Sequence, residues 1–207
     1  MLNSKGFDLW ANSYDKSVTL SQTANTYPFA GYKDVLNEIY SQVKTKPTAK
    51  VLDIGFGTAV LSKKLYDDGY LIYGMDFSDQ MIKIAKEKMP NSILLKHNFA
   101  FGIPQEFETV NFDFILCTYA IHHLDDLQKA AFIENLMTIL SPKGKILIGD
   151  VAFETTAQLE KCKSDNEACW DNDEIYPVLE NLKQKFSKVK FHKVSFCSGV
   201  FLFTKEV

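Results

Sequence analysis

The clearest indication of the fold is the stretch Val51-Leu52-Asp53-Ile54-Gly55-Phe56-Gly57-Thr58. Its first four residues form a short apolar run that predicts a buried β-strand, and the two glycines that follow predict a sharp turn. In an open α/β sheet such a turn lies at the carboxyl end of the strand, where ligands bind. A glycine pair by itself is also compatible with a tight turn that binds nothing.

Short apolar segments alternate with amphipathic helices on both sides of this stretch. Strands are predicted at residues 51–54, 71–75, 93–95, 112–117 and 145–149, and helices at 33–42, 59–66, 78–88, 127–140 and 176–186. Residues 189–195 and 200–204 predict two more strands whose short connection implies an antiparallel pair. We therefore expect an α/β, Rossmann-like, seven-stranded sheet, mostly parallel, with helices on both faces and an antiparallel C-terminal hairpin.

Asp53 separates two classes of cofactor. A dinucleotide site requires Gly-x-Gly-x-x-Gly, and the residue at the third glycine position is Val60. An acid two residues before Gly55 would repel a pyrophosphate, whereas it suits a cation. S-adenosylmethionine (SAM) carries a sulfonium and an ammonium group, so Asp53 favours SAM over NAD.

Asp76 ends the second predicted strand, 19 residues after Gly57. An acid about 20 residues past such a loop accepts hydrogen bonds from the ribose hydroxyls of a nucleoside. This supports a nucleoside cofactor without distinguishing SAM from NAD. The alternative interpretation is that Asp76 caps the next helix.

On these residues the chain resembles the class I SAM-dependent methyltransferases, over about residues 7–204. The loop is similar to the Asp/Glu-x-Gly-x-Gly motif of that family, and Asp76 to its ribose-binding acid. Residues 112–124 and 140–145 resemble two later motifs. The chain also resembles the short, uncharacterised YrrT-like methyltransferases. Ala59 is a departure, because a glycine is often found there.

The resemblance implies the cofactor contacts. Asn98 would bind the adenine amino group, with Phe99 packed on the ring, and Cys117 would lie under the methionine part. Trp10 and Tyr14 would fold over the cofactor, within an N-terminal helical cap of residues 1–47. The other cofactor contacts that we expect are Asp53, Gly55, Gly57, Thr58, Asp76, Phe77 and Met81. The alternative for each of these side chains is ordinary packing or turn formation.

Methyl transfer from a sulfonium requires chiefly that the acceptor be aligned with the methyl group, and a base only if the acceptor is protonated. His122 is the candidate base, because histidine titrates near neutrality; the alternative is a buried structural histidine. The connection at residues 151–176 is long enough to predict a substrate lid. The acceptor contacts that we expect are Tyr119, His123, Phe153, Trp170 and Tyr176.

The composition limits the partners. The length of 207 residues fits one domain, which the resemblance implies is a methyltransferase domain spanning residues 1–207. The net charge of −3 argues against a nucleic-acid partner. No apolar run suits a signal peptide or a bilayer span, so we expect a cytoplasmic protein with a small-molecule acceptor and no metal. A SAM-binding sensor without catalysis and a nicotinamide-dependent oxidoreductase are the alternatives.

Overall fold

The computed structural model describes residues 25–205, whose strands form a single mixed sheet. These strands are β1 (Lys50–Ile54), β2 (Leu71–Asp76), β3 (Ile93–Lys96), β4 (Phe112–Thr118), β5 (Leu140–Val151), β6 (Lys190–Lys193) and β7 (Ser198–Thr204). Their order across the sheet is β3-β2-β1-β4-β5-β7-β6. The strands β1 to β5 pair in parallel, whereas β7 is antiparallel to both β5 and β6. The predicted fold class is therefore confirmed.

Helices connect the strands. They are α1 (Tyr32–Val43), α2 (Val60–Asp67), α3 (Asp79–Lys88), α4 (Gln105–Glu108), α5 (Asp126–Thr138), α6 (Thr156–Asp165) and α7 (Leu179–Lys183). Short 3-10 turns occupy Phe99–Phe101, Ile121–His123 and Glu167–Cys169. Between residues 25 and 205, every helix falls short of the length and hydrophobicity that crossing a bilayer would require.

The sheet separates two apolar cores. Successive residues of a strand point to opposite faces, so Val51 packs in one core and Leu52 in the other. The first core contains buried residues of α1, α2 and α3, and the second contains those of α4, α5 and α7. Burial on both faces explains why the central strands are continuous apolar runs rather than alternating ones.

Side-chain caps begin α3 and α5. Ser78 Oγ accepts a hydrogen bond from the N–H of Met81 at 3.2 Å and caps the start of α3. Asp125 and Gln128 form a reciprocal capping box at the start of α5. The cap of α3 is therefore Ser78, and Asp76 remains available for a different role.

Two predicted boundaries are wrong. The helix expected at residues 176–186 is limited to α7, because Pro177 disfavours helical backbone at Tyr176 and the extended chain at Val178 bridges to Phe153. The strand expected at residues 145–149 is β5, which begins earlier, at Leu140, so the turn-forming residues 142–144 lie within it. The pairing with β4 shifts register between Phe112 and Phe114, so the turn residues are accommodated as an irregularity in the strand.

Candidate active site

A cavity of about 520 Å³ opens at the carboxyl ends of β1, β2 and β4. The strand order reverses between β1 and β4, and ligands of doubly wound sheets bind at such a reversal. The predicted site residues that line the cavity are Asp53, Gly55, Gly57, Thr58, Asp76, Phe77, Met81, Phe99, Tyr119, His122 and His123. The fold thus brings together residues that are distant in sequence.

The loop after β1 has left-handed backbone at three positions, Gly55 (φ 63°), Gly57 (φ 53°) and Ala59 (φ 60°). A Cβ on Gly55 would lie 2.8 Å from Cβ of Ala120, so this glycine permits close packing against the segment after β4. A Cβ on Gly57 would have no described atom within 4 Å, which leaves the backbone there open to a ligand. Ala59 carries a side chain in a conformation that favours glycine, which explains why glycine is common at this place.

Asp76 joins the ends of two strands. Its Oδ2 accepts a hydrogen bond from the N–H of Gly57 at 3.0 Å, and its Oδ1 accepts one from the N–H of Ser78 at 2.9 Å. The side chain is buried and lines the cavity. These two bonds fix the carboxylate at the floor of the cavity, between the glycine loop and the start of α3.

Asp53 is a buried acid with one oxygen in use. Its Oδ2 accepts a hydrogen bond from Ser62 Oγ at 2.5 Å, whereas Oδ1 has no hydrogen-bond partner among the described residues. Burial raises the pKa of Asp53 to about 7; the Ser62 bond lowers it and the charge of Asp76 raises it further. A buried carboxyl with an unused oxygen at a cavity is suited to a cationic ligand.

His122 lines the cavity and lies between two acidic side chains. Its Nδ1 is 2.8 Å from Oδ1 of Asp150, and its Nε2 is 3.5 Å from Oε1 of Glu174. Burial disfavours the charged imidazolium, but the two carboxylates outweigh that effect and the pKa of His122 is raised. The histidine is therefore oriented by one acid and faces another.

His123 has the opposite character. Burial and the neighbouring His122, whose ring centroid is 4.3 Å away, lower the pKa of His123 to about 4. It is thus neutral wherever His122 titrates. Of the adjacent pair, His122 has the electrostatic surroundings that suit a proton acceptor at neutral pH.

Several predicted site residues lie away from the cavity lining. Asn98 is exposed, and its Oδ1 accepts the N–H of Ala100 at 3.0 Å. Cys117 is fully buried in the second core, and its neighbour Thr118 lines the cavity instead. Phe153 is buried in the first core. Trp10 and Tyr14 fall outside the described residues.

The segment at residues 151–176 is ordered by its own contacts. It contains α6, and its last part contacts the turn after β4 through the N–H of Ile175, which donates to the carbonyl of His122 at 2.9 Å. Trp170 stacks on Tyr27 with ring centroids 5.0 Å apart, and the Tyr176 hydroxyl is hydrogen-bonded to Glu174 and Tyr27. Asp171, Asp173 and Glu174 line the cavity.

Asp150 and Glu174, the two acids beside His122, are among the site residues that sequence reasoning missed. Asp150 lies at the carboxyl end of β5, on the same sheet edge as His122, and that placement was a usable signal. Glu174 lies in an irregular segment without a motif, and its approach to His122 depends on the tertiary fold.

Comparison with known proteins agrees with this arrangement. Residues 51–144 match the family model described as a methyltransferase domain. An uncharacterised methyltransferase of Alkaliphilus oremlandii is 34% identical over 180 residues, covering 87% of this chain and 80% of the relative. Another from Oceanobacillus iheyensis is 33% identical over 197 residues, covering 92% and 89%.

Solved structures share the fold at low identity. Magnesium protoporphyrin IX methyltransferase from Synechocystis, with bound S-adenosylhomocysteine (SAH), has a TM-score of 0.66 at 16% identity, with 84% of this chain and 83% of that chain covered. DhpI in complex with SAH has a TM-score of 0.69 at 15% identity, with coverage of 96% and 93%. These matches establish the architecture alone.

Proposed function

This chain belongs to the class I SAM-dependent methyltransferases, and on that premise we propose that it transfers a methyl group from SAM to a small-molecule acceptor. The observation that carries the proposal is the cavity at the carboxyl ends of β1, β2 and β4, which combines the loop at Gly55 and Gly57 with the buried acids Asp53 and Asp76. Its volume of about 520 Å³ falls within the range of small-molecule pockets.

The residues at the loop fit SAM. The unused Oδ1 of the buried Asp53 suits a cation, and the open side of Gly57 leaves room for a ligand against the backbone. Asp76 would accept hydrogen bonds from the ribose hydroxyls. Phe77, Met81 and Phe99 would surround the adenine ring. When bound, SAM supplies an electrophilic methyl group on its sulfonium.

The acceptor would bind at the end of the cavity lined by Tyr119, His122 and His123. There the chain aligns the acceptor with the methyl group, and His122 takes a proton if the acceptor carries one. Asp171, Asp173 and Glu174 of the connection at residues 151–176 line the cavity, and this connection would act as the substrate lid. A lid excludes water from the reacting atoms.

The formation of SAH, which accompanies methyl transfer from SAM, tests the proposal. We expect release when the protein is mixed with a metabolite extract that has been filtered to remove macromolecules, and none with the retained protein and nucleic-acid fraction. Release with the macromolecular fraction alone would contradict the small-molecule acceptor. Binding of SAH without turnover on either fraction would favour a SAM-binding sensor.

A further inference from the structure

We propose that the methyl acceptor is an amine, bound as an ammonium ion beside Glu174 and deprotonated by His122. The inference rests on the proposed methyl transfer and deepens it by naming the substrate class. It is carried by the charge of the cavity, its aromatic wall and the acids around His122.

Within residues 25–205, the side chains of aspartate and glutamate supply the permanent charges of the cavity lining. Among the described residues that line it there is no lysine or arginine, and the acids are Asp53, Asp76, Asp171, Asp173 and Glu174. The first two lie at the glycine loop, while the other three belong to the segment that contacts His122. A low-dielectric cleft lined by one sign of charge concentrates ligands of the opposite sign and repels carboxylates and phosphates.

An aromatic wall borders the same cavity. Tyr119 lies with its ring centroid 5.0 Å from that of Tyr32 and 5.6 Å from that of Phe29, and all three line the cavity. The electron-rich faces of such rings attract ammonium groups. An amine with an apolar body is therefore matched on both counts, by the aromatic rings and by the acids that line the same cavity.

Asp53, which we assign to the cofactor, extends the negative character of the cavity to the glycine loop. Its side chain is 2% exposed, and its Oδ1 has no hydrogen-bond partner among the residues described. A buried, unused carboxyl oxygen is stabilised by a positive ligand. The negative character of the cavity thus extends from the proposed cofactor end to the acceptor end.

The surroundings of His122 provide for the proton that an ammonium acceptor must lose. Asp150 holds Nδ1 at 2.8 Å, so Nδ1 carries a proton and Nε2 faces Glu174 at 3.5 Å. The fully buried Asp150 compensates the charge of the imidazolium that forms when Nε2 is protonated. Asp150 acts through His122 and is a positioning residue.

Proton transfer from the ammonium comes first, and methyl transfer to the neutral amine follows. The proton of the ammonium passes to Nε2 of His122, which leaves a lone pair on the amine nitrogen. That lone pair forms the new N–C bond to the methyl group as the C–S bond breaks and its electrons go to sulfur. His122 then releases its proton towards the solvent edge, where Asp171 and Asp173 are exposed.

Three small probes of equal length test the inference on the SAH-bound protein: n-butylammonium, n-butanol and n-butyrate. Calorimetry gives their affinities, and imidazole resonances of the four histidines report where they bind. We expect millimolar binding of n-butylammonium, about tenfold tighter than of n-butyrate. The resonances of His122 and His123 should shift, and those of His192 should not.

Variants locate the ammonium. Glu174→Gln should weaken n-butylammonium binding several-fold while SAH affinity is retained, whereas Glu167→Gln, an exposed residue outside the cavity lining, should leave it unchanged. Equal or tighter binding of n-butyrate, or no shift at His122 with n-butylammonium, would overturn the amine assignment and leave methyl transfer intact. Failure to bind SAH would instead overturn the proposed function.

Discussion

The N–H of Gly57 donates a hydrogen bond to Oδ2 of Asp76 across 3.0 Å. One carboxylate therefore holds the glycine loop after β1 against the end of β2 and also faces the cavity. The geometry of the loop and the proposed recognition of ribose depend on the same side chain, which makes Asp76 the residue whose removal is most informative.

Replacement of Asp76 by alanine should reduce SAH affinity by at least tenfold, about 1.4 kcal/mol, because charged hydrogen bonds contribute about that much or more. Calorimetry measures the change, and urea unfolding establishes that the variant is folded. Asp79→Ala is the matched control, because Asp79 is an exposed acid of the same helix start that pairs with Lys96. Equal affinity in the Asp76 variant and the wild type would refute the ribose contact.

The affinity for SAM should rise with pH through about pH 7, the pKa to which burial raises Asp53. The sign follows from charge: below that pKa the carboxyl is neutral and cannot stabilise the sulfonium and ammonium groups, and above it the carboxylate can. Calorimetry across this range in wild type and Asp53→Asn measures the effect. A pH dependence that persists in Asp53→Asn would show that another group is responsible.

Ala59→Gly should stabilise the protein by about 0.5–1 kcal/mol. Left-handed backbone at a residue with a Cβ costs about 1–2 kcal/mol, and the greater flexibility of glycine in the unfolded chain offsets part of the gain. Urea unfolding measures it. Ala131→Gly, an exposed position within α5, should lose about 1 kcal/mol. Losses of similar size at both positions would contradict the strain at Ala59.

The two adjacent histidines should titrate far apart. The pKa of His123 is lowered to about 4 by burial and by His122, while the carboxylates of Asp150 and Glu174 raise the pKa of His122 above its usual range. Nitrogen-15 spectra of the imidazoles report each titration. In Asp150→Asn the pKa of His122 should fall, because an amide cannot stabilise the imidazolium. An unchanged value in that variant would remove Asp150 from the account.

Local patterns were sufficient for the fold and for the loop. The apolar strands and the glycine pair are short-range features, and the structure has a strand at each predicted place, with β5 beginning earlier than predicted. The relatives confirm membership of the family, and the similar solved structures confirm the fold class. The boundaries that failed depend on pairing between distant segments, as at Val178, which bridges to Phe153.

Several residues at both ends of the site were less accessible from the sequence. Cys117 and Thr118 are adjacent at the end of β4, where Cys117 is in the core and Thr118 lines the cavity. An assignment that is wrong by one residue therefore places a core side chain in the site. Asp150 is 28 residues from His122, and no spacing rule joins a strand end to a turn across that distance. The assigned roles of Asn98 and of the N-terminal Trp10 and Tyr14 stay predictions.

Calorimetry of the wild-type protein with SAH and with NAD tests the central claim most directly. We expect SAH to bind with one site per chain, because the loop combines the buried acid Asp53 with a glycine pair that lacks the third glycine of a dinucleotide site. We expect no binding of NAD under the same conditions. Binding of NAD without binding of SAH would contradict the assignment of the loop to SAM.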